Sequence, residues 1–290
     1  MEKRRMGIAA RSLAVAVLAL GCCGTNAASV APVAGKNGMV VTAQHLATRV
    51  GVDVLKTGGN AVDAAVAVGY ALAVVYPAAG NLGGGGFMTI QFADGRRTFL
   101  DFREKAPLAA TAGMFLDKDG TVIKDASTRG HLAVAVPGTV SGLELALAKY
   151  GTMRRADVIA PAIELAEKGF ALEQGDVDLF ALANDDLRKD KASAEIFLNG
   201  GAAFEVGQTL VQRDLAATLR LIRDQGADGF YKGTVATAIV ASNRAGGGMI
   251  TQADLDQYQP RELEPVECNY RGYGIVSAPP PSSGGVVICE

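Results

Sequence analysis

The chain has 290 residues, 49% of them hydrophobic and 20% charged, with a formal net charge of −2. That balance leaves no electrostatic footprint for nucleic acid or an anionic membrane, and with no Trp and 6% aromatics there is no platform for stacking bases. The length suits one large domain or two smaller ones.

The chain opens like an export signal. Lys3, Arg4, Arg5 and Arg11 form a basic start, residues 12–21 a short apolar core, and Thr25-Asn26-Ala27 offers small residues at a cleavage position. The expected organisation is a signal peptide over 1–27, a short linker over 28–38 and one functional portion over 39–290, which predicts an exported, periplasmic protein. Ala19-Leu20-Gly21-Cys22 also looks like a lipoprotein box, with Ala where Leu is usual, so lipid anchoring at Cys22 stands as the alternative. Of the four cysteines, Cys268 and Cys289 could pair in an oxidising compartment. The only histidines, His45 and His131, lie far apart, which argues against a His-based metal site or a Ser-His-Asp triad. No cofactor is expected.

Residues 39–43 read as a short β-type run. Leu46, Val50 and Val54 then recur at helical spacing, and Gly58-Gly59 is a stop signal. Asn60, with Asp63 three residues on, reads as the cap of a second helix over 61–75 that is apolar on nearly every face, hence buried within a globular domain. A glycine-rich loop follows, from Gly80-Asn81 to Gly83-Gly84-Gly85-Gly86. A phosphate-binding loop sits between a strand and a helix; this one follows a helix and enters the strand 87–92, so it reads as a turn packed too closely for side chains. Asp94-Gly95 marks a hairpin turn back through Thr98-Phe99-Leu100, placing Arg103 at the strand exit beside the glycine-rich turn.

Beyond it, helices are expected over 140–150, 156–168, around Leu215, Leu219 and Ile222, and over 235–242, with surface helices and loops over 173–200. Tyr270 to Val276 reads as a strand, Pro279 to Gly285 as a tight turn, and 286–289 as the start of a further element.

Asp101-Phe102-Arg103-Glu104 needs a physical reason in so apolar a setting. Taken alone, the tetrapeptide reads first as a surface ion-pair cluster, worth little. The sharper reading is a clamp for a substrate carboxylate. The guanidinium fork matches a carboxylate bidentately, and Asp101 and Glu104 would hold it in place.

Five motifs occur in order: Gly58-Gly59-Asn60-Ala61-Val62-Asp63-Ala64-Ala65; Gly80-Asn81 with the four glycines and Phe87; Asp101-Phe102-Arg103-Glu104; Val136-Pro137-Gly138-Thr139; and Pro279-Pro280-Pro281-Ser282-Ser283-Gly284-Gly285. Together, from about Met39 to the last residue, they resemble the N-terminal, large-subunit half of a bacterial gamma-glutamyltranspeptidase. The resemblance implies the α/β, four-layer αββα sandwich of the N-terminal nucleophile hydrolases, of which only the large-subunit portion is present. It implies a precursor that cuts itself into two subunits, and a nucleophilic N-terminal Thr on the small one, with its own amine as base. That Thr would take the γ-glutamyl group from glutathione or another γ-glutamyl compound and pass it to water or to an amino-acid or peptide acceptor. Arg103 matches the family arginine that grips the glutamate α-carboxylate, which turns the balance to the clamp.

The sequence stops at Glu290. The resemblance places the nucleophilic Thr, the acidic residue for the substrate amine, the paired serines and the oxyanion-hole glycines beyond that point, in the missing small subunit. No catalytic residue is therefore assigned among these 290; Ser282-Ser283 belongs to the turn motif. By itself the chain is expected to be inactive. Two other readings stand beside this one. Related enzymes act on poly-γ-glutamate or acylated β-lactams, and an exported non-catalytic binding module or lipoprotein would fit the Cys22 box.

Overall fold

A computed structural model describes residues 32–290, in two units that divide between Met39 and Val40. The expected signal peptide, its cleavage position and Cys22 lie outside the described residues. Among those described, no helix is long and apolar enough to cross a membrane.

The second unit is built on two packed helices, α1 (His45–Lys56) and α2 (Ala61–Val75). Helix α1 is amphipathic and buries Ala47, Val50, Gly51 and Val54 against α2. Helix α2 is apolar all round, and the fold surrounds it: α1, α3 (Thr139–Tyr150) and α4 (Arg155–Lys168) all pack on it. Val66, Tyr70, Val74 and Val75 are wholly inaccessible. Burying side chains of this size contributes about 1.5–3 kcal/mol each.

The start of α2 is fixed by the predicted cap. Asn60 Oδ1 accepts from the Val62 and Asp63 N–H groups (2.8 and 2.9 Å), and Asp63 Oδ2 accepts from the Asn60 N–H (2.8 Å). The same carboxylate binds the turn between α3 and α4: Oδ1 takes the N–H groups of Thr152 and Met153 (2.8 and 3.0 Å), and Oδ2 the Thr152 hydroxyl (2.6 Å). One motif thus caps a helix and sews two distant segments together.

The main sheet has three antiparallel strands in the order β1 (Phe87–Gln91), β2 (Arg97–Asp101), β5 (Arg261–Leu263). The hairpin register runs from Gln91 opposite Arg97 to Phe87 opposite Asp101, closing at Asp94-Gly95 as its turn residues predict. Strand β2 is central and buried from Thr98 to Asp101. Its partner β5 comes from far along the chain and sets Arg261 directly opposite Asp101.

Small strands β3 (Phe170–Ala171) and β4 (Thr209–Leu210) pair around three short helices, α5 (Gln174–Ala181), α6 (Asn184–Leu187) and α7 (Lys191–Phe197), as the mixed composition of that stretch predicts. Helices α8 (Arg213–Gln225), α9 (Asp228–Tyr231), α10 (Gly233–Ala245) and α11 (Gln252–Gln257) follow. The chain then forms β5, the hairpin β6 (Val266–Tyr270) and β7 (Tyr273–Ser277), and α12 (Gly284–Cys289), which a disulfide between Cys268 and Cys289 ties to β6.

Two expectations are corrected. Residues 39–43 form no strand: Val41 is 81% exposed, and no partner strand lies alongside among the described residues. The stretch from Tyr270 to Val276 is not one strand. Arg271 and Gly272 both take positive φ (52° and 87°), so the chain reverses there and the residues before and after pair as β6 and β7.

Candidate functional site

The structure brings three of the five sequence motifs to one place. At the exit of β2, Phe102 and Gly86 exchange both backbone hydrogen bonds (3.1 and 3.3 Å), extending the hairpin into the glycine-rich loop. Lys105 then exchanges both with Val136 (2.8 and 3.1 Å), which draws in the segment before α3. The loop reaches that segment directly. Gly84 C=O accepts from the N–H groups of Gly138 and Thr139 (2.7 and 3.1 Å), and Asn81 Oδ1 accepts from Gly84 N–H and the Thr139 hydroxyl (2.9 and 2.6 Å).

The glycines make this convergence possible. A Cβ on Gly85 would lie 2.6 Å from Phe102 O and 2.9 Å from Arg103 Cα, and one on Gly138 would lie 2.1 Å from both Phe102 O and the Tyr258 hydroxyl. Backbone lies against backbone at a spacing no side chain tolerates, as expected of a structural turn rather than a phosphate loop.

Arg103 emerges from this knot. Its N–H donates to Asp101 Oδ1 (3.0 Å), and its C=O accepts from the Tyr258 hydroxyl (2.9 Å). Its side chain is exposed, and among the described residues the guanidinium makes no hydrogen bond or ion pair. A rigid backbone thus presents an uncommitted planar fork, able to take a carboxylate bidentately.

The support differs from the sequence expectation. Asp101 and Glu104 do not brace the guanidinium. Asp101 is 4% exposed, and its second oxygen pairs with Arg261. The β2–β5 register accounts for this: a buried carboxylate needs a cation, and Arg261 is the residue opposite. Glu104 is exposed and holds no partner among the described residues.

Sequence reasoning passed over Tyr258 and Arg261. Both follow α11 around Pro260, where no periodicity marks a role, and each reaches the site across more than 150 residues of chain. Tyr258 is 7% exposed, and its ring lies parallel to that of Tyr231 (centroids 5.9 Å apart, 6° between planes). Tyr231 donates in turn to Pro137 O (2.9 Å). Burial, and the nearby carboxylates of Asp101 and Glu104, push the Tyr258 hydroxyl well above its ordinary pKa, so it stays a donor.

The other motifs serve elsewhere. Asn60 and Asp63 fasten α2 as described, and the turn 279–285 packs on Ser277 and Ala278 before α12. His45 sits 3.5 Å from Glu173, while the C=O of His131 accepts from Asn243, so the two histidines serve different contacts. Among the described residues no three or more His, Cys, Asp or Glu side chains cluster to hold a metal.

Residues 47–290 match the family model described as gamma-glutamyltranspeptidase. The chain belongs to that family. It is 70% identical, over 96% of its length, to a glutathione hydrolase proenzyme of Pseudomonas sp. strain A14, of which it covers 49%. The solved gamma-glutamyltranspeptidase of Helicobacter pylori superposes with a TM-score of 0.87 at 48% identity, covering 89% of this chain and 74% of that one. A further relative, 42% identical over 89% of the chain and covered to 48%, is an acylase ACY 1 proenzyme of Pseudomonas sp. strain SE83. The chain therefore spans about half the length of the curated relatives it matches. Its fold is the N-terminal nucleophile hydrolase fold of the gamma-glutamyltranspeptidases, and these residues correspond to the large-subunit part of the proenzyme.

Proposed function

We propose that the protein containing this chain is an exported, periplasmic γ-glutamyl transferase and hydrolase acting on glutathione and related γ-glutamyl compounds. Arg103 holds the α-carboxylate of the glutamyl group. The nucleophile is an N-terminal Thr beyond residue 290, freed by self-cleavage and carried on the small subunit that pairs with this one. It forms a γ-glutamyl-enzyme, which water or an amino-acid or peptide acceptor resolves. Arg103 contributes by fixing the substrate so that the γ-carbonyl is presented to the Thr.

The observation that carries this reading is the state of Arg103: both of its backbone polar groups are tied down, and its guanidinium is exposed and uncommitted among the described residues. A free fork favours a substrate with a free α-carboxylate over an acyl group without one, which sets a glutamyl substrate ahead of the acylase chemistry named for one relative.

The test is turnover by the purified full-length protein of glutathione, a γ-glutamyl anilide and an acylated β-lactam, beside the 290-residue chain alone. We expect the full-length protein to consume the first two in preference to the third, and the 290-residue chain to consume none. Preference for the β-lactam would move the assignment to an acylase. No turnover of any of them by a folded, self-cleaved protein would refute it.

A further inference from the structure

Arg103 is held at both ends of its backbone by side chains that make no hydrogen bond or ion pair with its guanidinium. On one side Asp101 Oδ1 accepts its N–H, while the other oxygen of Asp101 is anchored by Arg261 on the neighbouring strand. On the other side its C=O accepts from Tyr258, a residue 155 positions away.

The Tyr258 hydroxyl is itself well fixed. Its ring is stacked on Tyr231, whose own hydroxyl is engaged by Pro137 O. The Lys105 ammonium lies 5.0 Å from the centre of the Tyr258 ring and donates to Gln259 O (2.7 Å), one residue on. Gly138 faces the hydroxyl so closely that even a methyl group there would collide with it. A tyrosine needed only to fill space would not require its oxygen pinned between two motif backbones.

We propose that Tyr258 is a positioning residue for substrate carboxylate recognition, aiming Arg103 through its carbonyl, with the Asp101–Arg261 pair as the matching brace on the N–H side. The inference rests on the reading of Arg103 as the carboxylate clamp. A bidentate contact is demanding: a fork displaced by a fraction of an ångström or turned out of plane keeps its charge but loses one of its two hydrogen bonds. Removing the Tyr258 hydroxyl frees the Arg103 peptide to rotate, so substrate is held less well, while the fork keeps its charge and one of its bonds, which leaves the γ-carbonyl close to its place before the Thr and kcat little changed.

The test uses the full-length, self-cleaved enzyme and a γ-glutamyl anilide. Tyr258→Phe keeps the stacked ring and removes only the donor. We expect KM to rise about 3- to 10-fold, the equivalent of one neutral hydrogen bond, with kcat within about twofold. In the Arg103→Ala background, Tyr258→Phe should add no further rise, because there is no fork left to aim. Arg261→Gln, at the half-exposed end of the brace, is the second variant should Tyr258→Phe not fold, with the same expected signature. A raised KM in Arg103→Ala but an unchanged KM in Tyr258→Phe and Arg261→Gln overturns the positioning role and leaves the clamp intact. So does a Tyr258→Phe penalty that adds in full to that of Arg103→Ala, or one that falls on kcat alone. An unchanged KM in Arg103→Ala removes the clamp reading, and this inference with it.

Discussion

Replacing Asp63 by Asn tests how far one buried carboxylate organises the unit. Asp63 is wholly inaccessible and accepts four hydrogen bonds, two on each oxygen. An amide retains one acceptor oxygen. With it in place of Oδ1, the bonds from Thr152 and Met153 N–H survive, the Thr152 hydroxyl can turn to accept from the new NH2, and the Asn60 N–H is left facing a donor. One charge-assisted bond is lost outright and two more become neutral, a cost of about 2 kcal/mol from a typical 1.5–3 kcal/mol per bond to a charged group. The melting temperature of the full-length protein should fall by a few degrees, less than the roughly 4–8 °C expected for that loss in a domain of 150–250 residues. The effect should depend on pH with a definite sign. Desolvation pushes the Asp63 carboxyl up, but the bonds from the Thr152 hydroxyl and from the Met153, Asn60 and Thr152 N–H groups outweigh it and hold its pKa below the ordinary value. A depressed folded pKa means that the stabilisation is complete above the unfolded value, about 4, and is lost as pH falls through the folded one. The gap between wild type and Asp63→Asn should therefore be full at neutral pH and narrow in acid. Paired thermal melts at pH 7 and in acid provide the assay. Equal melting temperatures at neutral pH, or a gap that widens in acid, would refute the argument.

Gly138→Ala should destabilise by about 1–3 kcal/mol, the usual cost of overpacking, because its methyl meets Phe102 O and the Tyr258 hydroxyl at 2.1 Å; thermal melting and protease sensitivity report it, and an unaltered melt would show that the three segments do not meet as described. Tyr70→Phe removes the buried donor to Glu144 Oε1 (3.0 Å), leaving Arg155 as that carboxylate's charged partner, and should cost about 1–3 kcal/mol; a chemical denaturation midpoint matching wild type would contradict it. Cys268→Ser opens a link across 21 residues and should cost about 3 kcal/mol, with Cys289 becoming titratable by thiol reagents; a Cys289 already modified by the reagent in the folded wild-type protein, read by peptide mapping, would remove the premise.

What the sequence made legible was local. The cap at Asn60 and Asp63, the bounds of α2, the hairpin turn at Asp94-Gly95 and the approach of Arg103 to the glycine-rich loop all follow from signals within a few residues of one another. The second role of Asp63 is different, since its partners Thr152 and Met153 lie about 90 positions away. The brace around Arg103 was hidden for the same reason. Asp101 and Glu104 were nearest in sequence, yet β2 is paired by a strand 160 residues downstream, and that pairing hands Asp101 to Arg261. The expected strand over 39–43 failed because an apolar run is only a candidate strand, and here no neighbouring strand supplies the ladder. The β6–β7 turn was read through because Arg271 seldom adopts positive φ, so Gly272 alone marked the reversal.

The most direct test of the central claim is the KM of Arg103→Ala for a γ-glutamyl anilide, measured in the full-length enzyme after self-cleavage. If Arg103 holds the α-carboxylate in a site that the small subunit and substrate close off from water, its loss leaves that group unpaired there, at a cost of about 2–5 kcal/mol. KM should rise at least about 30-fold, with a smaller fall in kcat, partial recovery in Arg103→Lys and self-cleavage intact. A normal KM in a folded, cleaved Arg103→Ala enzyme would contradict the account.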